Sequence, residues 1–373
     1  MLGSTTLETP RVSLRRAKVF LALGIALGSP LRAGAQGATW TLSPTPKIRV
    51  GHRDASDALL SAPVSATRLP NGNVLVGDRS DFAFTEYSPR GDVIRKFGRK
   101  GKGPGEITFL MHMLRCGDSL VALDFDANRV SVFGLDGNVS RVFRLKQLPY
   151  RASCNAKTQL MFMEVERNPS GRKAVNRPLM PFRIFPADSR AGVSLGELPG
   201  IEQYGSGRYP LGRDPRVAIG STRAYIALAD SLSLRVFSTA GAVLPSVSLR
   251  TARVAATRAD LEAFKEAEIA TMGEKSRPMY NTLYADVPLP EYLPATRDLL
   301  IDASDHVWVQ HFPRAAARTV LWTVFSPSGK PVATIALPTA LEVYEIGRDY
   351  VLGRYIDPDE AVPEVRLYRL VKP

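Results

Sequence analysis

Three arginines stand near the start of β-prone runs in three successive parts of the chain: Arg151, Arg216 and Arg297. A guanidinium offers a planar fork of donors that fits a carboxylate or phosphate. If these runs face a common axis, the three side chains form a cationic funnel for an anionic ligand. The competing expectation is local, with each arginine capping its strand or pairing with an acid such as Asp214 or Asp298. His112 lies in a comparable run and could face the same axis, whereas His52, His306 and His311 are too scattered to make a local metal motif with it. Zinc would need three or four convergent ligands. Asp78, Asp124, Glu164 and Asp230 recur after β-prone runs at comparable places. They could offer oxygen ligands to a calcium ion, but acids at such positions commonly accept turn N–H groups instead. No complete ligand set is legible and no cofactor is expected. A lactonase-like hydrolase with a channel Ca or Zn ion is kept as the alternative to a binding protein. No G-x-S-x-G elbow is present for serine hydrolysis. The Gly-rich basic run 98–105 lacks the G-K-[ST] ending of a phosphate loop, and Pro104 removes a backbone donor, so a connector is expected there.

The elements that must position these residues follow from self-similarity. Tyr87 to Gly91, Phe133 to Gly137, Phe237 to Gly241 and Phe325 to Gly329 each read as an aromatic that ends a strand, a three-residue turn and a glycine. Each glycine leads into a new β-rich run, as Val93 to Phe97 does, and glycine suits a hairpin position of positive φ. Phe185 to Gly192 is a looser copy. The first three glycine intervals lie near the period of about 40–50 residues expected of propeller blades. The last interval is longer, one unit plus an insertion. Within a unit the pattern is four short strands; the first reads Val64–Arg68, Asn73–Gly77, Phe82–Tyr87 and Val93–Phe97. Five such units are followed by a sixth of three strands, Glu342–Ile346, Tyr350–Arg354 and Val365–Leu370. Its missing strand is available at Lys47 to Gly51, which resembles the outer strand of the first unit. The expected fold is therefore all-β: a six-bladed β-propeller of four-stranded blades, closed by an N-terminal strand pairing with the last blade.

The insertion, about 251–294, differs in kind. Thr257 to Asp260 is a capping-box pattern, and Leu261, Phe264, Ala267 and Met272 recur at near-helical spacing, which predicts one helix over 258–272. Residues 276–294 carry four prolines with Tyr280, Tyr284 and Tyr292, and read as a long irregular segment. Such segments are either lids or surface excursions packed by their own side chains.

The amino terminus reads as an address. Arg15, Arg16 and Lys18 precede a short apolar core from Val19 to Leu27, and Ala33-Gly34-Ala35 is an A-x-A site. This is the pattern of a secretory signal peptide over 1–35, and the apolar run is about half of what a bilayer span needs. The expected product is one domain, 36–373, exported to the periplasm or beyond, a monomer that does not span the membrane. The chain of 373 residues has a net charge of +13; residues 1–35 account for five bases and one acid, so +9 remains after Ala35. The bases are spread along the chain, without the basic stripe and interleaved aromatics of a nucleic-acid binder. With 29 Gly and 28 Pro scattered throughout, a helical bundle is excluded. Cys116 and Cys154 each end the first strand of neighbouring units. An oxidising compartment permits a bridge. Equivalent atoms of adjacent units are nevertheless expected beyond the roughly 7 Å Cα limit, which favours two buried free thiols.

Three motifs carry a family resemblance. The run Phe97 to Glu106, of the form F-G-x-x-G-x-G-P-G-E, resembles the secreted bacterial 6-bladed β-propeller proteins, akin to NHL-repeat and TolB-type propellers. Asp302 followed by Trp308-Val309 looks like the same family's D-x-x-x-x-x-W-V blade, and Asp124 to Phe133 is similar to the NHL core. The resemblance implies the propeller architecture over about 40–371 and implies no reaction. The expected function is recognition of a peptide, protein or small ligand, anionic in character, at the channel mouth.

Overall fold

The computed structural model describes residues 37–51, 59–145, 149–164, 173–185, 192–205, 207–357 and 362–373. The expected signal peptide, its A-x-A site and His52 lie outside the described residues. The fold is mostly β and propeller-like, built from four-stranded antiparallel sheets whose strands follow one another in chain order. Sheet one is Pro63–Arg68, Val74–Asp78, Ala83–Tyr87 and Val93–Phe97. Sheet two is Leu110–Cys116, Ser119–Asp124, Arg129–Gly134 and Val139–Arg144, and sheet three Pro149–Cys154, Leu160–Glu164, Leu179–Phe185 and Val193–Pro199. Sheet four is Arg216–Ile219, Arg223–Ala227, Ser233–Ser238 and Val243–Ser248. Sheet five is Thr296–Ile301, Val307–His311, Thr319–Phe325 and Pro331–Pro338. Sheet six holds Leu341–Ile346, Tyr350–Ile356 and Pro363–Val371. The strand Ile48–Val50 pairs antiparallel with Pro363–Val371, with Ile48 opposite Leu367 and Val50 opposite Val365. Thr41–Leu42 pairs with the same strand, and Ala38–Thr39 adds a parallel strand to the outer edge of sheet five.

The apolar residues that alternate along these strands meet between neighbouring sheets. Leu75, Phe84, Leu110 and Phe133 pack sheet one on sheet two. Trp308 and Trp322 of sheet five pack on Val343 and Val351 of sheet six, and Ile48, Val74, Val76 and Leu352 join sheet six to sheet one. Polar contacts repeat the last joint: Tyr344 donates its hydroxyl to Pro63 O at 2.8 Å, and Thr67 donates to Glu345. The turn glycines Gly91, Gly137, Gly241 and Gly329 all have φ between +86° and +96°, and each N–H closes its turn onto the carbonyl three residues back. A side chain there would be strained whatever space it had. Gly192, in the looser copy, is not in that region.

The motifs behind the family resemblance have structural causes. Asp302 accepts the indole N–H of Trp308 at 3.1 Å, which sets their spacing of six. Asp124 accepts the N–H groups of Thr108 and Phe109, both at 2.9 Å, and pairs with the buried guanidinium of Arg129 at 2.8 Å. In the Gly-rich run, Gly103 donates to Glu106 at 2.7 Å, and Arg129 binds the carbonyls of Lys102 and Gly103 at 2.7 and 2.9 Å. A Cβ on Gly101 would sit 2.1 Å from the Glu106 carboxylate. The run is a folded connector between sheets one and two.

Two expectations are corrected. Cys116 and Cys154 are bridged, with Cα atoms 5.5 Å apart. Inner strands of neighbouring sheets converge, so equivalent positions on them fall within disulfide reach. The segment 276–294 is not wholly irregular. Helix α1 spans Arg258–Met272, capped by Thr257 with Asp260 as its reciprocal partner, and a second helix, α2, spans Arg277–Tyr284. Pro278 lies in the first turn of α2, where no intrahelical N–H is needed.

Candidate functional site

Asp214 is the centre of the arginine cluster. Its carboxylate meets Arg151 at 2.6 Å, Arg216 at 2.7 Å and Arg208 at 3.4 Å. These guanidiniums arrive from different elements. Arg151 is the third residue of the inner strand of sheet three, and Arg216 opens the inner strand of sheet four. Arg208 and Asp214 belong to the connection between those sheets. That connection is folded on itself by Tyr209 N–H to Glu202 O at 2.8 Å and Gly212 N–H to Tyr209 O at 2.9 Å. It also holds Leu211, a buried non-glycine residue at φ +56°, a locally strained conformation of the kind concentrated at functional sites.

Arg297 completes the cluster from sheet five. The register of its strand shifts between Thr296 and Asp298, so Arg297 has no partner across the pair. A bulge of this kind re-aims the side chain. The Arg297 guanidinium lies over two aromatic rings, Phe264 at 5.5 Å and Phe312 at 5.9 Å. Among the described residues it forms no ion pair. Burial lowers its pKa, the nearby Arg208 and Arg216 lower it further, and Asp214 only partly opposes them, leaving it at about 10. Burial alone would raise the Asp214 carboxyl; Arg151, Arg216 and Arg208 outweigh it and hold the carboxyl far below the usual carboxylate range.

The cluster is roofed by the insertion. Phe264 of α1 lies under the Arg208 guanidinium, 5.3 Å from its ring centre, and Glu268 pairs with Arg208 at 3.4 Å. Tyr280 and Tyr284 are buried behind Phe264, whose ring stacks on Tyr284 at 6.4 Å. The cavity enclosed by Arg208, Asp214, Arg216, Phe264, Thr296 and Arg297 is only ≈ 10 Å³, on the order of one water. Thr296 is part of this lining, and its hydroxyl is buried without a hydrogen-bond partner among the described residues. Counting charges, four guanidiniums face Asp214, Glu268 and Asp298, the last 3.5 Å from Arg216. Among the described residues, Arg297 is the guanidinium of the four without an acid.

The local pairing expected for two of the arginines is present, and the third lies near them. Arg151 and Arg216 pair with Asp214, as the local reading has it, and they converge with Arg297. The lid tyrosines are corrected. Tyr280 and Tyr284 form the core of the insertion, and Tyr292 is exposed under Arg253 at 5.5 Å, so the residue that touches the cluster is Phe264. His112 is half-buried on sheet two opposite Leu123 and does not line this cavity. Arg208, Thr296 and Phe312 escape the sequence reading. Phe264 is visible there as an apolar helix position, but its charged neighbour is not. The recurring acids serve the backbone and other arginines. Asp78 accepts Ser61 and Ala62 N–H groups at 3.0 Å, and Asp230 binds Arg177 and Arg213, both at 2.7 Å. Among the described residues no group of three His, Cys, Asp or Glu is arranged to hold a metal, and no helix is long and apolar enough to cross a membrane.

No family model and no curated protein matches the sequence. Solved structures do share the fold. A Bacteroides fragilis protein described as exported is similar over 91% of this chain and 98% of its own, with 13% identity and a TM-score of 0.53. A DUF4221-family member from Bacteroides vulgatus is similar over 91% of this chain and 100% of its own, with 10% identity and a TM-score of 0.51.

Proposed function

We propose that this protein is an exported, monomeric six-bladed β-propeller, one domain over 36–373, that binds an anionic ligand at the mouth of its channel. The ligand is a small carboxylate or phosphate compound, or such a group on a peptide or protein. The observation that carries this reading is the convergence of guanidiniums from two successive sheets and the connection between them on a single carboxylate, with Arg297 of the next sheet beside them and in no ion pair among the described residues. Burying an uncompensated cation costs stability, so its retention argues for a use. An anion entering beside Arg297 would meet the Thr296 hydroxyl and compete with Asp214 and Glu268 for Arg208. Because the cavity is nearly filled, entry requires Phe264 and α1 to move. Export is supported by the Cys116–Cys154 bridge, since disulfides persist in oxidising compartments. Closure as six blades is supported by Ile48–Val50 supplying the fourth strand of sheet six, and by that sheet's contacts with sheet one.

Calorimetric titration with succinate tests the reading. Saturable binding is expected, weakening with added salt and falling about tenfold or more in Arg297→Met. Equal binding by wild type and Arg297→Met, both folded by circular dichroism, overturns it.

A further inference from the structure

We infer that a second ligand site lies between sheets six and one, and that it takes a small organic anion with an apolar or aromatic body. It shares no residue with the Asp214 cluster and sits at the other end of the strands: Arg68 closes its inner strand, whereas Arg216 opens its own. The cavity there is ≈ 230 Å³, larger than the roughly 150 Å³ that accommodates a benzene in an apolar interior.

Its lining has two halves. The buried Ile48 and Leu367 side chains and the Tyr350 ring form an apolar floor. Lys47, Arg68 and Arg369 supply three positive charges against one acid, Asp349. Among the described residues none of these four groups forms an ion pair. Close by, Arg49 pairs with Glu364 at 2.6 Å and Arg366 with the same carboxylate at 2.7 Å. The three cations are thus left without partners in a place that has room for one.

Arg68 is the most telling of them. Its guanidinium lies over the Tyr350 ring at 5.1 Å, and its Nε is buried without a hydrogen-bond partner. That donor is unmet inside the protein, and Arg68 itself lines the cavity, where an anionic head group would meet its charge. Tyr350 is itself fixed, donating its hydroxyl to Glu345, which also accepts from Thr67. The ring is therefore a rigid platform for the guanidinium and for a flat ligand body. The chemistry shared by candidate ligands is one anionic head, carboxylate or phosphate, carried on a hydrophobic body.

Phenyl phosphate and 3-phenylpropionate, titrated separately by calorimetry, distinguish the two head groups; inorganic phosphate and phenol carry the head and the body alone. At least one of the first pair is expected to bind saturably and about tenfold or more tighter than either half. In the Arg297→Met background, where the first site is weakened, saturable binding is expected to remain, and Arg68→Met added to it is expected to abolish that binding. Because Arg68 is partly buried, the double variant Lys47→Ala/Arg369→Ala at exposed positions gives an independent reading, with an expected loss of about tenfold and a weaker salt dependence. Absence of saturable binding by both compounds, phenol binding as well as they do, or unchanged affinity in the folded double variant overturns the inference.

Discussion

Asp214 carries one negative charge among guanidiniums from three separate segments, and its removal leaves them facing each other. Breaking a buried pair from one side typically costs about 3–5 kcal/mol, so Asp214→Asn is expected to lower stability to denaturant by that order. The pH dependence follows from its depressed pKa. A carboxylate held below its unfolded value of about 3.9 contributes stability that is fully present above that value and lost as pH falls through the folded one. Wild type should therefore lose stability steeply on acidification below about pH 4, and Asp214→Asn should lose less over the same interval. An equal fall in urea midpoint between pH 6 and pH 3 for wild type and Asp214→Asn would count against a buried ion cluster. At this scale the types of Arg151, Arg216 and Arg297 were legible, but their convergence was not. Arg297 owes its aim to a bulge, which is a property of the pairing with the neighbouring strand and is not readable from either strand alone.

Among the elements, α1 was legible to its ends because capping chemistry is local: Thr257 and Asp260 sit three residues apart and satisfy each other's orphan groups. The short α2 was not, because its formation depends on Tyr280 and Tyr284 finding Leu261 and Phe264 on a neighbouring helix. Helices this short are marginal on their own. The disulfide belongs to the same class. Cys116 and Cys154 lie 38 residues apart and meet only because two inner strands run side by side. Closing a loop of that length is worth about 2–4 kcal/mol. The double variant Cys116→Ser/Cys154→Ser should lose stability of that order, and reductant should lower the thermal midpoint of wild type while leaving the variant unmoved. Equal midpoints for wild type with and without reductant would deny the bridge any part in stability.

For the whole molecule the decisive contact is that of the first strands with the last. Ile48–Val50 and Thr41–Leu42 cover Pro363–Val371, whose backbone would otherwise present an open edge. Removal of residues 37–51 also strips Trp40, Ile48 and Val50 from two apolar clusters. Such a truncation is expected to self-associate, read as oligomers by light scattering after gel filtration, and the uncut domain is expected to run as a monomer. The sequence by itself determined the strand units, their turn glycines, helix α1 and the strand that completes the last sheet, because hydrophobic alternation, positive-φ turns and caps are written within a few residues of one another. Only the tertiary structure decided that Cys116 meets Cys154, that Phe264 rather than a tyrosine roofs the arginines, and that Arg68 stands over Tyr350 beside a cavity. Each of these joins residues from different sheets or from an insertion folded back on a sheet, and distances of that kind are set by how the sheets pack.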